Sequence, residues 1–275
     1  MLTLPPEFPR EVDAFACDLD RTLIAEDGLV TSRTRDAVRA ACDAGIRVIV
    51  VTGRMFRSVV RYLEDLGLDD PVVCYQGAVV AERGGRFLRH EPIALELARE
   101  TIDAVVAEGY HLNCYVDDEL YVAEVNEQAR AYADFQHIPL REVGDLVVWL
   151  ERPPTKLVAV GDPVELDGLE ARMKARFDSR LYISKSLPHF LEFASPDVTK
   201  AAGLEFVAEH LGFSLERTVA FGDGENDVEL LDAASYAVAV ANAHERVLAV
   251  ADLVCPRDSE DGVAQVIEAY LNSRG

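Results

Sequence analysis

The chain has 275 residues, 49% of them hydrophobic and 28% charged, with a formal net charge of −22. That length and balance suit one large or two moderate globular domains, and they exclude a fibrous repeat or a disordered chain. The acidic excess disfavours DNA, RNA and anionic membranes as partners, since each is a polyanion, so any phosphorylated ligand needs positive charge concentrated locally.

Cysteines 17, 42, 74, 114 and 255 are odd in number and never spaced C-x-x-C, so neither a disulfide framework nor a zinc site is expected. No apolar run approaches the roughly 18 residues of a membrane span, and the first ten residues lack a leader's cationic-then-apolar pattern. A cytoplasmic protein with no membrane or nucleic-acid partner is the expectation.

The run Ala14-Phe15-Ala16-Cys17 reads as a buried parallel strand that ends in Asp18-Leu19-Asp20. Ligands of open α/β sheets bind beyond the carboxyl ends of the strands. Two carboxylates there raise each other's pKa unless a cation neutralises them, which points to a divalent metal; taken alone, the stretch is equally an Asp-rich turn. Thr31-Ser32 then caps a helix through residue 44, closed by Gly45, and the β-branched residues 46–51 form a central strand ending in Thr52-Gly53-Arg54. A helix over 56–66 and a strand over 71–75 running into Gln76-Gly77-Ala78 extend this strand–helix alternation, which marks a parallel sheet.

From Val79 the layout changes. A hairpin over 79–81 and 86–88, helices over 94–108, 127–135 and 164–177, and strands over 112–115, 120–122, 156–160 and 181–184 predict an inserted α+β module. It is placed at residues 84–188, between core segments 1–83 and 189–275. The last segment returns to the first pattern. A strand over 190–193 precedes a helix over 200–211, and a strand over 218–221 empties into Gly222-Asp223-Gly224-Glu225-Asn226-Asp227. A helix over 228–233, a strand over 236–240 leading to Asn242, and helices over 245–250 and after Asp261-Gly262 complete the chain. The fold class is therefore α/β, a Rossmann-like three-layer core with a parallel sheet and an inserted α+β cap.

Strands ending at Asp18/Asp20, Thr52-Gly53-Arg54, Asp223/Asp227 and Asn242 would bring those residues to one rim. Several carboxylates there make a hard-oxygen site suited to Mg²⁺. With the metal bound, one carboxylate can attack phosphorus while its neighbour acts as acid and then base. Thr52 and Gly53 offer donors to the phosphoryl oxygens, and Lys200 offers positive charge. In isolation, such a lysine is more often a solvated surface residue and such a threonine a helix cap.

Asp18-Leu19-Asp20-Arg21-Thr22-Leu23, Thr52-Gly53-Arg54, Lys200 and Gly222-Asp223-Gly224-Glu225-Asn226-Asp227 resemble, in order and context, the four motifs of the haloacid dehalogenase superfamily. The insertion is similar to the large cap of its Cof-type, or type IIB, phosphatases, and the resemblance covers nearly the whole chain. It implies that Asp18 forms an aspartyl-phosphate and that Asp20 protonates the leaving alcohol and then activates water. It also implies that Asp18, Asp20 through its carbonyl, Asp223 and Asp227 form the Mg²⁺ site, with Asn226 ordering it. Thr52, Gly53 and Lys200 would hold the phosphate, and Arg54 and Asn242 are candidates for the substrate side. The chain departs from the family pattern at Arg21 and Ala201, where glycine is usual, and at Gln76, where asparagine is usual.

The expected function is Mg²⁺-dependent hydrolysis of small phosphomonoesters, sugar phosphates or related metabolites, by a monomer or weak homo-oligomer. A phosphomutase and a non-catalytic phosphate-binding regulator are the alternatives. Asp117, Asp118, Glu119, Tyr121 and His189 are candidate cap contacts, against the plainer reading of an acidic hairpin turn.

Overall fold

In the computed structural model, which describes residues 2–274, the first apolar run is strand β1 (Ala14–Cys17), buried throughout. Helix α1 (Ser32–Asp43) starts where Thr31 Oγ1 accepts from the Thr34 N–H at 3.0 Å. Gly45, at φ +79°, turns the chain into β2 (Arg47–Val50), which runs parallel to β1 with Cys17 opposite Val50. After α2 (Phe56–Leu66), strands β3 (Val72–Cys74), β4 (Val79–Ala81) and β5 (Phe87–His90) make a small sheet in that order.

The inserted segment runs α3 (Leu95–Ala107), β6 (His111–Val116), β7 (Glu119–Val122), α4 (Glu127–Gln136), β8 (Leu140–Glu142), α5 (Leu146–Trp149), β9 (Lys156–Val160), α6 (Pro163–Phe177), β10 (Tyr182–Leu187) and β11 (Phe190–Ala194). Its six strands form one sheet, ordered β10-β11-β9-β6-β7-β8. The alternation of strand side chains explains its two faces. Leu112, Cys114, Leu157, Ala159, Leu191 and Phe193 pack with Ile102 and Val105 of α3 and with Leu166, Leu169 and Met173 of α6. Asn113, Lys156 and Glu192 alternate with these residues and so belong to the opposite face. Residues 190–193, grouped by sequence with the returning core, pair instead with β9 and β10. A four-residue apolar strand carries no mark of which sheet it joins.

The chain returns through α7 (Lys200–Leu211), β12 (Thr218–Gly222), α8 (Val228–Ala233), β13 (Tyr236–Val240), α9 (Glu245–Val250), β14 (Leu253–Cys255) and α10 (Gly262–Ser273). Strands β14-β13-β12-β1-β2 form a five-stranded, all-parallel sheet. On one face Ala16, Ile49 and Ala220 pack beneath Leu204, Val207, Leu230, Leu231 and Val247. On the other, Phe15 lies 5.8 Å from the Tyr270 ring of α10, and Arg33 of α1 holds Glu268 of α10 through two hydrogen bonds. Burying each such aromatic stabilises the fold by about 1.5–3 kcal/mol.

Two compact units result. One comprises the described residues up to Gly53, Val59–Leu88 and those from Thr199 onward; the other comprises Arg54–Ser58 and Arg89–Val198. Among the described residues no helix is long and apolar enough to cross a membrane, and all five cysteines are unbridged.

Candidate active site

The carboxyl ends of β1, β2, β12 and β13 open onto one rim because the four strands are adjacent and parallel. Asp18 follows β1 directly, its N–H donating to the Phe221 carbonyl of β12 at 3.0 Å. Asp223 follows β12 directly. Lys200 is the first residue of α7, which is capped by Thr199 Oγ1 on the Ala202 N–H at 3.0 Å.

Lys200 Nζ donates to Asp18 Oδ1 and Asp227 Oδ1, each at 2.5 Å. The lysine is therefore no surface residue, being only 2% exposed. Asp227 Oδ2 accepts from the N–H groups of Asp223 at 3.0 Å and Gly224 at 2.9 Å, so the Gly222–Asp227 turn closes on its own last carboxylate. Asp18, Asp223 and Asp227 each present an oxygen within 4.8 Å of the other two. Asp20, half-buried, contributes no carboxylate to that group.

Burial pushes the Asp18 carboxyl well above the usual range. Lys200 opposes this shift, and Asp227, Asp223 and Asp20 add to it. Asp223 is pushed up to about 7 by burial and by Asp227, against Arg21, Lys200 and the Thr22 hydroxyl. Burial alone would lower the Lys200 ammonium, but Asp18 and Asp227 outweigh it and hold it above its ordinary value. Negative charge is thus in excess over Lys200. Three close buried carboxylates form a hard donor set of the kind that fits a small divalent cation.

Thr52 lies at the end of β2, buried, with its N–H on the Val73 carbonyl at 2.8 Å and its carbonyl accepting from the Gln76 N–H at 3.1 Å. Gln76 Oε1 accepts from Asn226 Nδ2 at 2.9 Å, and its amide packs against Gly53, where a Cβ would come within 2.3 Å of Nε2 and would have to displace it. Gln76 thus joins the Thr52–Gly53 turn to the Asn226 turn, binding Thr52 through its own backbone N–H and Asn226 through its side-chain amide. Thr22, which sequence reasoning did not single out, donates its hydroxyl to Asp223 Oδ1 at 3.2 Å; its place inside the first motif was the only signal.

Of the substrate-side candidates, Asn242 is engaged within the fold at both ends of its amide. Nδ2 donates to the Arg21 carbonyl at 3.0 Å, and Oδ1 accepts from the Asp258 N–H at 3.1 Å. Arg54 groups with the second unit, where its guanidinium lies 5.6 Å from the Phe135 ring centroid. In the acidic hairpin turn Asp117 and Asp118 take left-handed φ of +53° and +57°, Asp118 Oδ2 accepts from the Arg57 N–H at 2.9 Å, and Glu119 binds Tyr121 and Arg141.

Residues 15–267 match the model of the haloacid dehalogenase-like hydrolases. The chain is 26% identical over 268 residues to the 5-amino-6-(5-phospho-D-ribitylamino)uracil phosphatase YitU of Bacillus subtilis, covering 94% of this chain and 97% of that one. It is 27% identical to the pyridoxal phosphate phosphatase YbhA of Escherichia coli, covering 93% and 97%. Its fold matches that of the subclass IIB sugar phosphatase BT4131 with a TM-score of 0.81 at 24% identity, over 94% of this chain and 99% of that one. With a parallel core sheet, an inserted mixed-sheet cap and four motif segments at one rim, the chain belongs to the haloacid dehalogenase-like hydrolases, as one of their phosphatases.

Proposed function

We propose that the rim is a Mg²⁺-dependent site hydrolysing phosphomonoesters of small metabolites, sugar phosphates or related compounds, through an aspartyl-phosphate on Asp18. The observation that carries this reading is the buried Lys200 held between Asp18 and Asp227 with Asp223 alongside. It explains why one carboxylate can face a phosphate dianion without repelling it.

Asp18 attacks phosphorus through a carboxylate oxygen as the bond from phosphorus to the ester oxygen breaks. Asp20, half-buried and two residues on, gives its proton to the departing alkoxide. It then removes a proton from water, whose oxygen attacks phosphorus, releasing inorganic phosphate and restoring Asp18. Thr52, Gly53 and Lys200 meet the charge that gathers on the equatorial oxygens. Asp18, the Asp20 carbonyl, Asp223 and Asp227 would hold the Mg²⁺, which when bound supplies Lewis-acid neutralisation of phosphate charge. Asn226 and Thr22 fix the loops that present them.

A phosphate-release screen over metabolite phosphates with Mg²⁺, run beside Asp18→Asn, tests the reading. The expected result is metal-dependent release from some monoesters, lost in the variant and requiring no bisphosphate activator, which separates hydrolysis from a mutase. Release unaffected by Asp18→Asn, or none from any ester, overturns it.

A further inference from the structure

Arg21 stands in the turn that carries both aspartates, and its backbone is left-handed at φ +59°. A residue with a β-carbon stays there only when its surroundings hold it. Its carbonyl accepts from Asn242 Nδ2 at 3.0 Å, and Nη2 donates to the Asn242 carbonyl at 3.5 Å. Asn242 is itself tied to the Asp258 N–H. The guanidinium is thereby aimed at one carboxylate of the cluster, with Nη1 3.7 Å from Asp223 Oδ2. Its Nε is buried without a hydrogen-bond partner; Glu26 Oε1 lies 3.6 Å from it, but that carboxylate is 82% exposed and screened by water, whereas Asp223 is 9% exposed. Asp223 is divided between two neighbours: the Thr22 hydroxyl takes Oδ1 and Arg21 faces Oδ2.

We infer that Arg21 is a resident counter-charge that weakens the divalent-cation affinity of the Asp18–Asp223–Asp227 cluster, by holding positive charge against Asp223 Oδ2. The inference rests on reading that cluster as a cation site. An entering cation competes with the guanidinium for the same carboxylate and is repelled by it. A unit positive charge about 6 Å from a dication weakens its binding by roughly tenfold even at the dielectric of water. The Arg21 side chain is 37% exposed, so it can yield toward solvent, and the site is weakened and not closed. This gives a role to the residue that stands where the family usually has glycine.

The test is Mn²⁺ titration without substrate, followed by the electron paramagnetic resonance of the free ion and competed with Mg²⁺. Wild type, Arg21→Gln, Arg21→Gly, Arg21→Lys and Asp223→Asn are compared. Arg21→Gln and Arg21→Gly should each bind about tenfold tighter than wild type, Arg21→Lys should stay near wild type, and Asp223→Asn should bind far more weakly. Gln keeps a β-carbon at the left-handed position and Gly does not, so agreement between them assigns the effect to charge. Tightening in Arg21→Gly alone, or in neither, overturns the inference while leaving the cation site standing. Binding that ignores Asp223→Asn overturns the site and the inference together.

Discussion

Lys200 Nζ lies 2.5 Å from Asp18 Oδ1 with both side chains out of solvent, 1% and 7% exposed. An ammonium so placed cannot be traded for a neutral group without leaving uncompensated carboxylates, because Asp227 leans on the same nitrogen. Lys200→Met should therefore lower the unfolding free energy by about 3–5 kcal/mol, the usual cost of breaking a buried pair from one side. Mg²⁺ should restore part of that loss by binding the carboxylates of the folded state. Urea denaturation with and without Mg²⁺ reads both effects, and a variant as stable as wild type would show that the lysine does not neutralise the cluster.

The lysine reaches this position because Gly77 lets α7 come close. Gly77 has φ +105°, and a Cβ there would lie 1.9 Å from the Thr199 carbonyl oxygen, immediately before Lys200. Gly77→Ala adds both left-handed strain and a backbone clash. Strain of about 1–3 kcal/mol and overpacking of about 1–3 kcal/mol predict a loss of at least about 2 kcal/mol. The shift in denaturation midpoint measures this, and phosphate release should fall with it, since Thr199 also caps the helix that carries Lys200.

Much of the arrangement was legible in the sequence, for reasons visible in particular residues. The apolar runs before Asp18, Thr52, Asp223 and Asn242 form adjacent parallel strands because residues buried on both faces leave little alternative. The cap at Thr31 and the closing glycine Gly45, at positive φ, fix the limits of α1 locally. Pairing between distant segments was not legible. β11 belongs to the cap sheet, and β8 and β14, three residues each, carry too little pattern to register. At the site, residue types announced Asp18, Asp223 and Lys200. Arg21 facing Asp223 and Asn242 spending its amide on the fold depend on loop conformations that no spacing encodes.

The opposite face of the cap sheet holds a second buried charge pair, Lys156 Nζ to Glu192 Oε1 at 3.0 Å, with Ser186 Oγ donating to the same oxygen at 2.7 Å. Lys156 also lies 5.3 Å from the Tyr115 ring centroid. Lys156→Met should cost about 3–5 kcal/mol, whereas Lys156→Met with Glu192→Leu should recover most of it, because the double change removes both desolvated charges. Trp149, the only tryptophan, lies in this unit, so its fluorescence during denaturation follows the cap. A double variant no more stable than the single one would mean that the polar neighbours, not the ion pair, hold this face together.

Part of the acid response of the cap should run through His111, burial lowering the pKa of His90 in the same unit as well. Asn126 Oδ1 accepts from the Ala129 N–H at 2.8 Å, which turns its Nδ2 toward His111 Nδ1 at 3.2 Å. That ring nitrogen must accept, so Nε2 carries the proton it donates to Asn113 Oδ1 at 3.0 Å. The site is built for neutral imidazole, and burial lowers the His111 pKa despite the Asn113 hydrogen bond and the Glu124 charge. Above the unfolded value of about 6.5 the ring is neutral in both states and pH has no effect through it. Below that value the unfolded chain takes up a proton that the folded chain refuses, so stability falls as pH drops toward the lowered folded pKa. His111→Gln removes this linkage. Trp149-detected urea midpoints at about pH 7.5 and about pH 5.5 should differ more for wild type than for the variant, and equal shifts in both would place the acid sensitivity of the cap elsewhere.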